Sequence, residues 1–395
     1  MPRAAAVTLS STALVALALL ATRPAQAAYS LTKDYSGDSF FDDWTFYGNY
    51  DNLTNGDIDY VSQSNSSDLA YVNGAGNAIV KVDNTSSVLY PNKRRSVRLQ
   101  SQDSYGIGSL WVYDFLHVPY GCSVWPAAWS QAASWPAGGE IDTFEGVNLV
   151  QTNQYALHTE SGCKAASSSS SNSFTGNLTY DNCDYNANAN SGCMVTESNT
   201  ASYGEAFAAA GGGVWATEMG KDGIKIWFFP RADVPSDLSS SDSSAVPNPE
   251  GWSTPSAYYP TSSCDIPSYF APQHLVLDIT ACGDWAGQVT NSTGCPLTTD
   301  LCYTSFVLDS ANFNTAYFEI PSVRVYYDTD KAADSAASTS GTATTSSSSH
   351  SSASAGGAAT TGKSTSAASA LSQAGHVGKT LVNAAVVALG AWVLL

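Results

Sequence analysis

The sequence predicts an all-β protein, built as a jelly-roll sandwich of two packed antiparallel sheets. Apolar residues recur in short runs that alternate with polar residues and are separated by Gly, Asn, Asp, Ser and Pro, which is the pattern of strands. Such runs include AIVKVD, SVRLQS, GSLWVYDFLHV, QYALHTE, GIKIWFF, HLVLDI and YFEIPSVRVYY. Few windows suit a helix, and the segment GEAFAAAGG is short and ends in glycines. Many short strands in one long domain favour two packed sheets.

Both ends of the chain are predicted to be processed, and to flank one catalytic domain over residues 28–328. Residues 1–27 combine a basic residue, an apolar run and the small-residue stretch PAQAA, as in a secretory signal peptide. Residues 329–370 are rich in Ser, Thr and Ala, which predicts a disordered, O-glycosylated linker. Residues 371–395 carry the apolar stretch LVNAAVVALGAWVLL after a polar spacer, which indicates the removable signal for a glycosylphosphatidylinositol (GPI) anchor. A membrane-spanning segment is the alternative for either apolar run.

All eight cysteines lie inside the predicted domain, and an even number in an exported chain indicates disulfides rather than metal ligands. They are Cys122, Cys163, Cys183, Cys193, Cys264, Cys282, Cys295 and Cys302. Spacing does not define their pairing. Glycosylation sequons, Asn-x-Ser/Thr, begin at Asn52, Asn65, Asn84, Asn177 and Asn291. They predict a glycosylated surface.

The charge of the chain excludes one class of partner. A formal net charge of −18 argues against nucleic acid, whose binding requires basic patches. In the one basic cluster, KRRSVR, we interpret Lys93, Arg94 and Arg95 as a solvated edge strand. An acidic, aromatic-rich exported chain suits a neutral polymer such as a polysaccharide. We expect a monomer that requires no metal and no cofactor.

The stretch GGEIDTFEG places three carboxylates within six residues. Strand alternation puts Glu140 and Asp142 on one face, and Glu145 joins them only if a β-bulge near Thr143 and Phe144 shifts the register by one residue. Crowding three like charges costs stability, so we interpret the stretch as a catalytic centre rather than a solvated acidic strand. Glycoside hydrolysis uses such a pair, because one ionised carboxylate attacks the sugar while one protonated carboxyl donates to the leaving oxygen.

These motifs resemble glycoside hydrolase family 16, and within it the fungal laminarinase-like endo-β-1,3(4)-glucanases. The Glu-x-Asp-x-x-Glu signature carries the resemblance, with support from WPAAWSQ, YALHTESGC, AAGGGVWATE and IKIWFFPR. The resemblance covers nearly all of the mature domain and implies a concave sheet that forms an open sugar cleft. It further implies retaining endo-hydrolysis of β-1,3- and mixed-linkage β-1,3/1,4-glucans. In that reaction Glu140 is the nucleophile, Asp142 assists it, and Glu145 is the general acid/base.

Electrostatics predicts the same division of roles. An ionised Glu140 should raise the pKa of Glu145 and keep it protonated at mildly acidic pH. Asp142 is expected to share a proton or a hydrogen bond with Glu140. The resemblance places a histidine at the position of His158 beside the acid/base, where we expect it to hydrogen-bond the Glu145 carboxyl and assist proton transfer.

Four further residues are predicted to contact substrate. Sugar rings have apolar faces that stack on aromatic side chains, and Trp129 and Trp135 lie in a Pro/Ala/Ser-rich context just before the carboxylates. Trp215 belongs to one of the family-like segments, and Arg98 matches a family arginine that reaches sugar hydroxyls. For Trp227, whose neighbours alternate as in a strand, we favour simple core packing.

Two other functions compete with hydrolysis at the cell surface. A GPI-anchored transglycosylase that remodels cell-wall β-glucan is favoured by the predicted anchor, because a sugar can intercept a covalent glycosyl-enzyme in place of water. The five-residue spacing of the glutamates opposes it, since this spacing is similar to the bulged laminarinase branch, while bacterial lichenases and fungal wall transglycosylases have four-residue spacing. A noncatalytic glucan-binding protein is opposed by the intact carboxylates.

Overall fold

A computed structural model describes residues 29–166, 173–239 and 245–332. The predicted signal peptide, nearly all of the predicted linker and the predicted anchor signal lie outside these residues. The first residues of the predicted linker still contact the fold. The carbonyl of Lys331 accepts a 2.8 Å hydrogen bond from the backbone N–H of Lys221, and its ammonium lies 2.7 Å from the Glu250 carboxylate.

Strands make up most of the regular structure in this part of the chain. In chain order they are β1 (Ser30–Ser36), β2 (Trp44–Phe46), β3 (Ile58–Tyr60), β4 (Ala70–Val72), β5 (Ala78–Lys81), β6 (Arg94–Ser96), β7 (Arg98–Ser101), β8 (Ser109–Phe115), β9 (Val124–Gln131), β10 (Glu140–Glu145), β11 (Gln154–His158), β12 (Asn177–Leu178), β13 (Cys193–Thr196), β14 (Gly213–Gly220), β15 (Gly223–Pro230), β16 (Ala257–Pro260), β17 (His274–Ala281), β18 (Tyr317–Ile320) and β19 (Ser322–Tyr327).

Helices are short and lie between the strands. The α-helices are α1 (Gly204–Ala209), inside the predicted GEAFAAAGG segment, and α2 (Ile266–Tyr269). Single turns of 3-10 helix cover Gly37–Ser39, Gln63–Asn65, Asn188–Asn190, Thr200–Ser202, Arg231–Asp233, Ser236–Leu238, Pro249–Gly251, Asn291–Thr293 and Ser310–Phe313, and a π-helical turn covers Tyr303–Val307. Among the described residues, no helix has the length and apolar character needed to cross a membrane.

The strands form two large antiparallel sheets, which confirms the predicted jelly-roll sandwich. One sheet has six strands in the order β1-β19-β8-β14-β15-β16, and the other has eight in the order β12-β13-β11-β10-β9-β17-β7-β2. Two small sheets, β18-β5-β4 and the parallel pair β3-β6, accompany them. Because β10 lies in the interior of the eight-stranded sheet, its carboxylates have structured neighbours on both sides.

The main core lies between the inner faces of the two large sheets. Phe144 of β10 packs against Trp215 of β14 with ring centroids 5.2 Å apart, and both side chains are fully buried. Each such side chain contributes roughly 1.5–3 kcal/mol through burial. A smaller cluster covers the outer face of the six-stranded sheet, where Trp227 packs edge-to-face on Trp252 at 5.2 Å. The expectation that Trp227 is a core residue is therefore confirmed.

All eight cysteines form disulfides, as predicted. The pairs are Cys122–Cys295, Cys163–Cys264, Cys183–Cys193 and Cys282–Cys302. Cys183 and Cys193 close the loop between them, whereas the neighbours Cys295 and Cys302 each pair with a more distant cysteine. Each bridge fixes a loop against a distant or neighbouring segment. It also restricts the unfolded chain, and this restriction grows with the number of residues between the two cysteines.

The interpretation of the basic cluster was wrong for Arg94. Its side chain is fully buried, with the guanidinium 4.9 Å from the centre of the Phe313 ring. It donates hydrogen bonds to the backbone carbonyls of Val307 (2.8 Å), Asp83 (2.8 Å) and Ser86 (3.1 Å). A planar group with five donors can satisfy several carbonyls at once, so Arg94 ties two loops together from inside the fold.

Candidate active site

One face of the eight-stranded sheet is turned away from the core, and we call it the cleft face. Asp142 of β10 lies opposite Trp129 of β9, which lies opposite Val276 of β17. Directly opposed residues in an antiparallel sheet point to the same side. Their neighbours, such as Ile141, point into the main core. The alternation predicted for the carboxylate strand is therefore observed.

A β-bulge in β10 brings the third carboxylate onto the cleft face. Against β9, Asp142 pairs with Trp129 and Glu145 pairs with Ala127, so three steps along β10 correspond to two along β9. The extra residue lets Phe144 enter the core while the Thr143 hydroxyl reaches the Thr217 hydroxyl of the other sheet at 2.7 Å. The predicted bulge is confirmed, and the two glutamates share one face because of it.

Glu140, at the start of β10, is half-buried and contacts Trp135. The indole N–H of Trp135 donates a short hydrogen bond to its Oε2. The indole is 43% exposed and its ring meets the Tyr185 ring edge-to-face at 5.3 Å. Trp135 therefore has a free ring surface next to the predicted nucleophile, as a substrate-contacting residue would require.

Asp142 is buried beside His158. The Nε2 atom of His158 lies 3.2 Å from Oδ2 of Asp142, while its Nδ1 lies 3.1 Å from the side-chain oxygen of Asn190. Burial and the charge of Glu140 raise the pKa of Asp142 well above its usual range, although His158 opposes this. Burial alone would lower the pKa of His158, but the charges of Glu140 and Asp142 raise it to about 10. This pair therefore retains a proton at neutral pH.

Two expectations about these contacts were wrong. His158 was expected to hydrogen-bond Glu145, but the register places it opposite Glu140 and its ring contacts Asp142. Asp142 was expected to bond Glu140, yet in the described part of the chain no hydrogen bond joins the two carboxylates. Both carboxylates project from the same face two residues apart, and His158 occupies the space beside Asp142.

Glu145 is held by two side-chain donors. The indole N–H of Trp125 lies 2.9 Å from Oε1, and the amide of Gln154 lies 3.3 Å from Oε2. Burial raises the pKa of Glu145 to about 7; the hydrogen bond from Trp125 opposes this shift and the charge of Glu140 adds to it. The predicted direction is confirmed, but desolvation contributes more than the neighbouring charge.

Arg98 and Trp129 form a second group on the cleft face, next to the carboxylates. The guanidinium of Arg98 lies 4.9 Å from the centre of the Trp129 ring and pairs with Asp278 through a short contact. The Trp129 indole donates to Asp278 at 3.2 Å. Asp278 raises the pKa of Arg98 against the effect of burial. A cation held over an indole gives a rigid, half-buried Trp129 ring, which suits the predicted stacking on sugar.

The prediction that Trp215 contacts substrate was wrong. Trp215 is completely buried on β14 of the six-stranded sheet, where its ring packs on Phe207 at 5.1 Å and Phe228 at 4.6 Å. Its strand belongs to the opposite layer of the sandwich, and its side chain points into the core. A segment can match a family pattern because of packing as well as binding, and here packing explains the match.

Several residues of the site carried no decisive sequence signal. Trp125 shares strand alternation with Trp129, so its position on the cleft face was accessible from the sequence. The contacts of Asn190 and Asp278 join segments far apart in the chain, and no local pattern reveals them. Donor atoms of Glu140, Asp142 and His158 all lie within 4.8 Å of one another, a spacing that also suits a metal ion.

A bulged strand that carries one carboxylate near Trp135 and a second, with its pKa raised to about 7, beside Trp125 is an arrangement suited to glycoside hydrolysis. The chain belongs to glycoside hydrolase family 16. Residues 44–326 match the family described as XgeA-like, catalytic GH16 domain, and this stretch lies inside the predicted domain 28–328.

Named relatives are fungal. A probable glycosidase of Schizosaccharomyces pombe is 39% identical over 302 residues, covering 75% of this chain and 69% of the relative. The endo-1,3(4)-beta-glucanase xgeA of Emericella nidulans is 35% identical over 312 residues, covering 76% of this chain and 48% of the relative. The chain thus spans about half the length of that glucanase.

Solved structures show the same fold. Laminarinase 16A from Phanerochaete chrysosporium, bound to 6-O-glucosyl-laminaritriose in donor and acceptor sites, is 38% identical with a TM-score of 0.70. The similarity covers 76% of this chain and 100% of that one. An elongating family 16 β-1,3-glucosyltransferase is 37% identical with a TM-score of 0.69, again over 76% and 100% of the two chains.

Proposed function

We propose that the protein is a retaining endo-1,3(4)-β-glucanase that hydrolyses β-1,3- and mixed-linkage β-1,3/1,4-glucans. The observation that carries this proposal is the placement of Glu140 and Glu145 on one face, with the pKa of Glu145 raised to about 7. The substrate class is supported by the similarity to glucanases and to a laminarinase with bound β-glucan. The roles of all site residues are part of the proposal.

In the first step the Glu140 carboxylate attacks the anomeric carbon while Glu145 donates its proton to the glycosidic oxygen. The carbon–oxygen bond to the leaving sugar breaks as the bond to Glu140 forms. In the second step Glu145 removes a proton from water, which attacks the same carbon and releases Glu140. Asp142, whose pKa is raised by burial and by the charge of Glu140, shares a proton with His158 beside the nucleophile and in this way assists Glu140.

Hydrolysis of laminarin should release the β-anomer first, with the α-anomer appearing later by mutarotation. A retaining pair requires carboxyl groups roughly 5–5.5 Å apart, whereas inversion needs about 6.5–9.5 Å to admit water beneath the sugar. A single bulged strand favours the shorter separation. Proton NMR during the first minutes measures the anomers, and initial α-product would contradict Glu140 as nucleophile.

Transglycosylation of cell-wall β-glucan is the second candidate, and the similarity to an elongating glucosyltransferase favours it. Both reactions share the glycosyl-enzyme, so product length separates them. Chromatography of laminarin digests should show mainly shorter sugars if water is the acceptor. Longer oligosaccharides accumulating at early times would favour transfer, and unchanged laminarin would contradict both. A parallel digestion of lichenan, barley glucan and cellulose defines the preferred linkage.

The activity, measured as kcat/KM, should fall as the pH rises through about 7, because Glu145 must carry a proton to act as an acid. Trp125→Phe removes an N–H that stabilises the ionised carboxylate, so the descending limb should move to higher pH. Trp252→Phe is the matched control, since its indole donates to Asp237 at the outer face of the six-stranded sheet. A limb that stays in place or moves to lower pH in the Trp125 variant would contradict this assignment.

We also propose that the protein is secreted, glycosylated and tethered to the outer cell surface by a lipid anchor, as a monomer. The composition of residues 329–395 supports the tether. Phosphatidylinositol-specific phospholipase should release the protein from intact cells. Mass spectrometry of the purified mature protein should find no peptide from residues 381–395, and recovery of that peptide would rule out the exchange of the tail for lipid.

A further inference from the structure

The bulge in β10 creates a problem for its backbone. Between the pairs Asp142–Ala156 and Glu145–Gln154, β10 has one residue more than β11. A bulge leaves backbone groups on the longer strand without a partner in the ladder, and an unpaired buried backbone group destabilises the fold. The affected groups lie next to Glu145, so the way they are satisfied affects where that side chain points.

The side chain of Asn153 replaces the missing ladder contacts. Its Oδ1 accepts a 2.9 Å hydrogen bond from the backbone N–H of Glu145, and its Nδ2 donates a 3.0 Å hydrogen bond to the carbonyl of Thr143. One amide group thus spans both ends of the bulge. A primary amide suits this position because it carries a donor and an acceptor in the same plane, like a peptide group.

Asn153 is itself held by two hydrogen bonds of its backbone. It is fully buried, immediately before β11. Its backbone N–H donates to the hydroxyl of Ser202 at 2.9 Å, and its carbonyl accepts a hydrogen bond from the backbone N–H of Glu197 at 2.9 Å. The backbone of Asn153 is therefore fixed. Its side-chain amide, which hydrogen-bonds the backbone of Glu145, fixes that residue in turn.

We propose that Asn153 is a positioning residue, which fixes the bulged register and thereby aims Glu145 as the proton donor. The proposal rests on the proposed function, because it requires Glu145 to be the general acid/base. The Glu145 carboxyl must hydrogen-bond Trp125 and Gln154 and must also reach the glycosidic oxygen. The position of the Glu145 backbone, which Asn153 fixes, determines whether the side chain can make all three contacts. A displacement of about 1 Å at such a group can cost on the order of 100-fold in rate.

The test compares a substrate that needs the acid with one that does not. Asn153→Ala should reduce kcat/KM on laminarin about 10- to 100-fold, since general acid catalysis contributes about 100- to 10,000-fold and a misaimed acid loses part of it. The second substrate is a 2,4-dinitrophenyl β-laminaribioside, whose leaving group needs no proton. On it, the rate of the dinitrophenolate burst should change less than about threefold. Glu145→Ala should show the same discrimination more strongly.

The matched control is Asn148→Ala. Asn148 is also a fully buried asparagine whose amide spans two backbone groups, accepting from the N–H of Ser123 and donating to the carbonyl of Ala286 at 2.9 Å. Its loss should lower stability without changing the ratio of the two rates. An unchanged ratio in Asn153→Ala, or the same change in both variants, would overturn the positioning role.

Two further points keep the outcomes separable. If Asn153→Ala does not fold, Asn153→Ser takes its place, because a hydroxyl can still satisfy one of the two backbone groups. A folded Asn153→Ser variant should show the same discrimination at smaller size, and a wild-type ratio in it would overturn the proposal. If the wild-type protein itself releases no sugar from laminarin, the proposed function fails first.

Discussion

Glu140→Ala is expected to abolish turnover of every substrate, whereas Glu145→Ala is expected to spare formation of the glycosyl-enzyme where the leaving group needs no proton. Without Glu140 no glycosyl-enzyme forms, so no leaving group rescues the reaction. Without Glu145 the loss on laminarin should be about 100- to 10,000-fold, the usual contribution of a general acid. Steady-state rates on laminarin and burst amplitudes on a dinitrophenyl glycoside measure the difference.

Azide separates the two roles further. In Glu145→Ala, azide can enter the space left by the carboxylate and attack the glycosyl-enzyme without a base, giving a β-glycosyl azide. Glu205→Ala, at an exposed carboxylate in α1, is the matched control and should leave both rates unchanged. An α-azide, or an exchange of behaviour between the Glu140 and Glu145 variants, would reverse the assignment.

Trp215→Ala is expected to destabilise the protein by about 3–5 kcal/mol, because it removes a fully buried indole from the main core. Trp135→Ala should change stability by less than about 0.5 kcal/mol, since its ring is 43% exposed. The order of the effects on activity is reversed. Only the Trp135 variant should have a lower rate of glucan turnover per folded molecule. Denaturant unfolding and activity per folded molecule measure both effects.

The two tryptophans thus test the correction made above. A Trp215→Ala variant that kept its stability and lost glucan binding would restore the original expectation of substrate contact. A Trp135→Ala variant with full activity would exclude that ring from the substrate site. Because the two side chains lie on different sheets, their effects should be independent.

Strand alternation was sufficient to predict the centre of the site. Placing Glu140 and Asp142 on one face required only the two-residue period of a strand. Glu145 required one additional assumption, a bulge, and the chemistry of paired carboxylates supplied the reason for it. Alternation did not predict the position of Trp129, which lies on the cleft face because β9 pairs it with Asp142.

What the sequence could not provide were contacts between distant segments. Asn190 reaches His158 from a loop closed by Cys183 and Cys193, and pairing of cysteines is not defined by spacing. The residues next to Trp215 in the sequence do not distinguish a core tryptophan from a substrate-binding one. Only the position of β14 in the six-stranded sheet shows that its side chain lies in the core. Arg94 looked solvated because the carbonyls that satisfy it belong to loops up to 213 residues away.

The bulge has a genetic consequence. β10 carries one residue that its neighbours β9 and β11 do not need for pairing, and the ladder is regular on either side of it. An in-frame deletion of a single codon, that of Thr143, would leave Glu140 and the shortened strand's second glutamate four residues apart, on one face by plain alternation. The five-residue and four-residue spacings of the two glutamates therefore differ by one inserted or deleted residue, and the pairing of the strands need not change. In a lineage that lost this codon, selection to retain the amide of Asn153 would be relaxed, because no bulge would remain for it to span.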